Sequence, residues 1–174
     1  MKTQTPNISS RQNFFGTSEL SLKEIFSEWK VEPYRIHQVF TWVYHYHCRD
    51  FNEMTNLSKT LRALLAEKFY FSLPKIKTRT HSKDGSIKYL LEMSDGAEVE
   101  SVWMPSESRN TLCISTQVGC RLNCSFCLTA SLGLKRNLTA AEIIGQHLAV
   151  NAERQEDEKI SNIVFMGMGE PLDN

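Results

Sequence analysis

Four of the chain's five cysteines lie between Cys113 and Cys127, and three of them, Cys120, Cys124 and Cys127, are spaced C-x3-C-x2-C. Thiolates are the preferred ligands of iron–sulfur clusters. A cubane cluster has four irons, so three cysteines leave one iron without a protein ligand. Such an open position is what a metal centre needs if it is to bind and transform something. Two other chemistries use thiols. A structural zinc site takes four closing ligands, usually from two C-x2-C pairs. Here there is one such pair, the nearest downstream histidine is His147, and Cys113 would complete a four-cysteine set only at an atypical spacing. A disulfide framework fits poorly with five cysteines, a start without a secretory signal, and 174 residues, enough to bury a core without cross-links.

The flanking elements must hold those thiols in place. Residues 111–118 read as a strand, with Gly119 turning the chain into the cysteine loop. Thr139-Ala-Ala-Glu142 is a capping box. It opens a helix carrying Ile143, Ile144, His147 and Leu148, where His147 reads as a packed histidine rather than a ligand. Residues 153–159 form a charged connector, and residues 160–166 an apolar strand that runs into Gly167-Met-Gly-Glu-Pro171. Strand, loop, helix and strand make one βαβ unit of a parallel sheet. Ligands bind at the carboxyl ends of such strands, so the cysteine loop and residues 167–171 face one rim. The glycines let backbone approach a ligand closely, and Glu170 can pair with an ammonium group.

Upstream, the pairs Asp84-Gly85 and Asp95-Gly96 are hairpin signals that divide residues 76–104 into three strands. Ile87, Tyr89, Leu91 and Met93 alternate onto one face of the second. In the third, Glu100 shares a face with Val102 and Met104. Were that face inward, its desolvated carboxylate could take a proton; otherwise it is an exposed strand carboxylate, which alternation alone favours.

Residues 1–20 show little periodicity and read as loose. Ser21-Leu-Lys-Glu24 reads as a capping box before the stripe Leu22, Ile25, Phe26 and Trp29. Pro33 opens a second helix with Ile36, Val39, Phe40 and Val43 on its apolar side. A third helix follows Asn56, with Leu57, Leu61, Leu64 and Leu65 inward. Aromatics interleaved with Arg35, His37, His45, His47 and Arg49 could stack on unpaired bases, although periodicity favours Trp42 and Tyr44 as core fillers. Cys48 reads as a small buried apolar residue.

Composition bounds the class. Hydrophobic residues make up 41% and charged residues 23%, ordinary for a soluble globular protein. No apolar run is long enough to span a membrane, and a reducing, cytoplasmic location follows. Residues 1–79 carry 12 Lys/Arg against 7 Asp/Glu, and residues 80–174 carry 8 against 13. A basic front half points to a polyanion partner, as it would also suit a helical domain with no partner.

With Phe126 directly before the last cysteine, the triad resembles that of radical S-adenosylmethionine enzymes. Gly-x-Gly-Glu-Pro at residues 167–171 resembles their segment that grips the methionyl amino group. The match goes further. It runs through Val99-Glu-Ser-Val-Trp-Met-Pro105, residues 111–127, Gly133-Leu-Lys-Arg-Asn-Leu138, Glu142-Ile-Ile-Gly-Gln146 and residues 167–172. At the front it includes residues 33–46 and Phe51-Asn-Glu-Met54. Over nearly its whole length the chain resembles the dual-specificity RNA methyltransferases of the RlmN type, in the RlmN/Cfr family.

The resemblance implies an α/β fold. A helical RNA-contact domain (1–75) and a short antiparallel β meander (76–108) precede the first βαβ part (109–174) of a truncated (βα)6 partial barrel. It implies a 4Fe-4S cluster on Cys120, Cys124 and Cys127, and S-adenosylmethionine contacted by Gly169 and Glu170. Glu100 becomes a proton acceptor, and Cys113 the cysteine that resolves a covalent enzyme–RNA adduct. The implied reaction is methylation of adenine C2 in 23S rRNA and tRNAs; a relative acting on C8 shares these motifs. An electron donor such as flavodoxin, a monomeric state and no membrane association complete the expectation. The family is about twice this length, and its methyl-carrying cysteine would lie beyond Asn174. The chain is therefore expected to be a fragment or a broken gene product, inactive alone, with an uncovered sheet edge. The alternative from another class is a non-catalytic RNA-binding remnant.

Overall fold

The computed structural model describes residues 11–174. The chain divides into two compact units, one ending at Phe71 and the other comprising Ser72–Asn174.

The first unit is built on aromatic packing. Phe14 is fully buried, and the rings of Phe40, Phe51, Phe69 and Phe71 surround it with centroids 5.3–5.8 Å away. Strand β1 (Gln12–Asn13) runs parallel to β2 (Phe69–Tyr70), and the Arg11 guanidinium donates to the Phe69 carbonyl. The loose segment expected over residues 1–20 is thus corrected for 11–20, where two adjacent phenylalanines without helical or strand period anchor a core. Residues 1–10 lie outside the described residues.

Helix α1 (Glu19–Glu28) buries Leu22 and Phe26, and its cap is Ser18, whose hydroxyl accepts from Ser21 N–H. The helix therefore starts one turn before the expected box. Helix α2 (Tyr34–Phe40) follows Pro33, buries Ile36 and Val39, and widens into a π turn over Thr41–His45. That turn leaves Trp42 and Tyr44 half-buried, so they are only partial core residues. Helix α3 (Lys59–Lys68) is capped by Ser58, two residues later than Asn56, and buries Leu61 and Leu65. Cys48 is buried, as expected.

The second unit is a five-stranded sheet in the order β3 (Lys75–His81), β4 (Ile87–Glu92), β5 (Glu98–Met104), β6 (Thr111–Cys113) and β9 (Asn162–Val164). Neighbours are antiparallel up to β6, and β9 runs parallel to β6. Both Asp-Gly turns form. Gly85 and Gly96 adopt left-handed φ, and the Asp84 and Asp95 carboxylates accept from Ser86 N–H and Ala97 N–H. Ile87, Tyr89 and Leu91 share the buried face with Val99 and Trp103, over Leu112, Ile114, Leu138 and Val150.

Helix α4 (Ala140–Asn151) carries the full capping box of Thr139 and Glu142. It buries Ala141, Gly145, Gln146, Leu148, Ala149 and Val150, while Ile144 is exposed. The inward face is thus rotated from the expected one. Gly145 makes this possible: a Cβ there would lie 2.6 Å from Pro74 Cδ.

Candidate active site

The strand expected over 111–118 is interrupted. After β6 the chain passes through buried Ser115 and Thr116 and then forms β7 (Gln117–Val118), which pairs antiparallel with β8 (Arg136–Asn137). Lys135 N–H closes the ladder on the Val118 carbonyl at 2.8 Å. The residues between form the cysteine loop. Gly119 sits at its base with φ +81, and a Cβ there would overlap the Gly133 carbonyl oxygen and lie 2.9 Å from its carbonyl carbon. The loop is therefore pinned where it leaves the sheet and where it returns.

Within the loop Cys120 and Cys127 are half-buried and Cys124 is exposed. A short 3-10 helix, Leu128–Leu132, follows Cys127. Backbone donors at Ala130 and Thr129 pull the Cys127 thiol below its ordinary range, against a small opposing effect of burial. Preformed N–H donors of this kind stabilise a thiolate, the form that binds metal. Between Gly119 and Gly133 there is no carboxylate or imidazole, and the bulky apolar side chains Leu122, Phe126 and Leu128 stand exposed, Phe126 at 92%. A thiol-only donor set beside apolar cover suits soft, iron–sulfur chemistry. Among the described residues, no group of three His, Cys, Asp or Glu is gathered closely enough to hold an ion. The triad shares one loop but is not converged.

The Gly167-Met-Gly-Glu segment lies along the interrupted strand. Thr116 and Gln117 N–H both donate to the Met168 carbonyl, and Gly167 N–H donates to the Ile114 carbonyl. A Cβ at Gly167 would lie 2.7 Å from Ile114 O, and one at Gly169 would lie 2.7 Å from Gln117 N. Gly169 also needs φ +97. These glycines thus permit backbone-on-backbone packing within the protein. The side chain of Glu170 accepts Leu172 N–H through Oε1 at 3.0 Å; among the described residues its Oε2 has no protein partner.

Glu100 lies on the half-exposed face of β5, so the inward alternative does not hold. Its carboxylate pairs with Lys88 Nζ at 2.8 Å. Cys113 lies directly opposite Val102 in the ladder, on that same face, which makes it a diagonal neighbour of Glu100. Burial pushes the Cys113 thiol up, partly offset by a bond from Met166 N–H. A cavity of about 580 Å³ joins several of these parts. Val99 and Glu100 line it from β5 and Leu128 and Leu132 from the turn after the triad, together with Lys135 and Met168. His147, expected as a packed residue, is half-buried on α4.

Sequence patterning missed the groups that hold this rim. Gln146, buried on α4, accepts from Ser101 Oγ at 2.8 Å and Ser115 N–H at 2.9 Å, and donates to the Ser115 carbonyl at 2.8 Å. Ser115 Oγ donates to the Glu100 carbonyl and accepts Met168 N–H. Arg136 braces the capping box by bonding both Glu142 and Asp95. The available signal was Ser-Thr-Gln, a polar run inside an expected apolar strand.

Comparison with known proteins places this arrangement. Residues 12–71 match the model of the ribosomal RNA large subunit methyltransferase N-terminal domain. The dual-specificity RNA methyltransferase RlmN of Paracoccus denitrificans is 53% identical over 150 residues, covering 80% of this chain and 38% of that protein. The RlmN of Alkalilimnicola ehrlichii is 45% identical over 163 residues, covering 93% of this chain and 45% of that protein. A crystal structure of a radical SAM methyltransferase from Sphaerobacter thermophilus superposes with a TM-score of 0.79 at 39% identity, over 94% of this chain and 48% of that one. This chain belongs to the RlmN family. It spans less than half the length of these RlmN relatives. The solved relative shares the mixed α/β fold.

Proposed function

We propose that this chain is part of a radical S-adenosylmethionine RNA methyltransferase that modifies adenine C2 in 23S rRNA and tRNAs. The observation that carries the reading is the 53% identity to a dual-specificity RNA methyltransferase RlmN over 80% of this chain; a cavity lined by Glu100, Leu128 and Met168 is consistent with it. Cys120, Cys124 and Cys127 would hold a 4Fe-4S cluster, and Gly169 and Glu170 would hold S-adenosylmethionine. Bound together, these cofactors supply a 5′-deoxyadenosyl radical, chemistry suited to an electron-poor aromatic carbon that cationic methyl transfer does not reach.

This chain's own residues then bind, orient and move protons. Glu170, held on one oxygen by Leu172 N–H, keeps the other for an ammonium donor. Glu100 takes the proton lost from the base, and Lys88 holds its carboxylate in place. Cys113, whose thiol burial pushes up, would, once a base removes its proton, attack the sulfur of a cysteine–RNA thioether adduct; a disulfide forms as that sulfur's bond to the new methyl carbon breaks, and the carbon takes a proton. Leu128 and Leu132 give the cavity an apolar side.

RNA is the proposed partner of the first unit. Tyr34 and Tyr46 are exposed. The Arg35 guanidinium lies 4.7 Å over the Tyr34 ring, and Trp42 and His45 pack edge-on against Tyr46. The Trp42 indole N–H is tied to Asn56 Oδ1 at 2.6 Å. A fixed set of aromatic and cationic groups of this kind stacks on unpaired bases, which a buried target base in RNA requires. Among the described residues no helix is long and apolar enough to cross a membrane. A cytoplasmic, monomeric protein reduced by a flavodoxin-like donor completes the proposal.

Anaerobic reconstitution with iron and sulfide tests the cluster. The expected result is broad visible absorbance and about four irons per chain, lost in Cys120→Ser or Cys124→Ser. Tight zinc uptake with refusal of iron and sulfide would overturn it. In a protein that joins this chain to the methyl-carrying cysteine, analysis of the methylated nucleoside separates C2 from C8.

A further inference from the structure

We infer that Gln117 is the positioning residue for Glu170, and that its single amide couples the carboxylate turn to the cysteine loop. The inference rests on the proposal that Glu170 meets the ammonium group of S-adenosylmethionine.

Gln117 is fully buried. Its Oε1 accepts Glu170 N–H at 2.9 Å, and its Nε2 donates to Asn137 Oδ1 at 2.9 Å and to Asp173 Oδ2 at 2.9 Å. Both amide hydrogens and the carbonyl are engaged, so the orientation is dictated. Reversed, the amide would set its NH2 against Glu170 N–H and its oxygen against the Asp173 carboxylate. Gly169 lies against the Gln117 side chain with no room for a Cβ. The backbone entering Glu170 is therefore set by Gln117 on two sides.

The link continues. Asp173 Oδ2 also accepts from Arg121 Nε at 2.8 Å, and Arg121 directly follows Cys120. One polar chain thus runs from Glu170 N–H through the Gln117 amide and Asp173 to the first residue after a cluster thiol. Only glutamine has the reach to accept from one partner while donating to two. Leucine would leave Glu170 N–H without its acceptor. A glutamate would keep that acceptor but face Asp173 with like charge; Arg121 on Asp173 and the nearby Glu170 carboxylate are the other charged groups of this cluster.

The test uses the chain reconstituted anaerobically, reduced, and titrated with S-adenosylmethionine while the electron paramagnetic resonance signal is followed. The wild type is expected to change its signal on titration. Gln117→Leu should keep the same iron content and the same spectrum without S-adenosylmethionine, yet need about ten-fold more of it for half the change. Gln117→Glu should respond weakly at pH 8 and recover toward wild type at pH 6, as a protonated carboxyl regains a donor to Asp173. A wild-type titration by Gln117→Leu, or a Gln117→Glu response that follows the wild type at both pH values, would overturn the inference. Should the wild type take up the cluster but ignore S-adenosylmethionine, the Glu170 reading fails and this inference with it. An independent readout is hydrogen exchange in the cluster-free chain. The Glu170 amide should exchange about ten-fold faster in Gln117→Leu, with β4 and β5 unchanged; an unaltered Glu170 amide also overturns the inference. If Gln117→Leu does not fold, Gln117→Glu at pH 6 and pH 8 decides by the same two readouts.

Discussion

Replacing Gly119 by alanine tests whether the base of the cysteine loop is built as described. Two costs combine there. Gly119 has φ +81, and placing an L side chain in the left-handed region costs about 1–2 kcal/mol. The new Cβ would also overlap the Gly133 carbonyl group, which is backbone and cannot rotate away. Forced overlap in a packed site costs a further 1–3 kcal/mol, roughly. The expected loss is therefore about 2–5 kcal/mol, with the β7–β8 pair forced apart. Gly96→Ala is the control: its φ of +83 is nearly the same, but nothing lies within 4 Å of the added Cβ, so only the backbone cost applies. The chain has three tryptophans. In a Trp29→Phe, Trp42→Phe background, Trp103 alone reports urea unfolding of the second unit. Iron content after reconstitution is measured in parallel. Equal urea midpoints and equal iron for Gly119→Ala and Gly96→Ala would refute the pinned loop.

Other outcomes follow from the same geometry. Gln146→Leu strips partners from Ser101 Oγ and from both backbone groups of Ser115, and is expected to cost about 3 kcal/mol or more in the same urea assay. Arg136 bonds Asp95 and Glu142. Burial pushes Glu142 up, but the Arg136 and Thr139 bonds outweigh it, and Arg136 holds Asp95 down. Carboxylates depressed in the folded state contribute stability above their unfolded pKa and lose it as pH falls through the folded value. The stability gap between wild type and Arg136→Met should therefore be open at pH 7, at about 1–2 kcal/mol for so partly exposed a network, and should close as pH falls below roughly 4. Cys127 is held below the ordinary thiol range and Cys113 above it. Alkylation of the cluster-free chain, mapped by mass spectrometry, should label Cys127 at lower pH than Cys113. Glu100→Gln removes only an exposed pair with Lys88 and should change stability by less than about 1 kcal/mol in the same urea assay.

Much of the scaffold was legible from local rules. The Asp-Gly pairs placed both hairpin turns, but as three-residue loops, Lys83–Gly85 and Ser94–Gly96, in which only the glycine takes positive φ, rather than the two-residue turns such pairs announce. Thr139 and Glu142 announced helix α4, because a capping box satisfies donors within a single turn. The cysteine spacing marked the loop by its chemistry alone. What those signals could not convey was which partner each polar group would meet. The Ser21 box lost to Ser18, one turn earlier, since either serine suits a cap. Phe14 and Phe15 carried no period and still became the centre of the first unit, through residues about 55 positions later in the chain. Ile143 and Ile144 read as part of the inward stripe of α4; Ile143 packs against the core, but Ile144 is exposed and Gly145 and Gln146 face in, because Pro74 and the Ser115 backbone lie there.

By itself the sequence determined the main helices, the meander strands and the thiol set, since these follow from backbone conformation and ligand chemistry within a few residues. Only the tertiary structure decided that Gln117 and Gln146 hold the rim, that Glu100 and Cys113 share an open face, and that Gly167 and Gly169 serve close backbone packing. Those outcomes depend on hydrogen bonds between residues roughly 30 to 55 positions apart, and no local period encodes a partner at that distance.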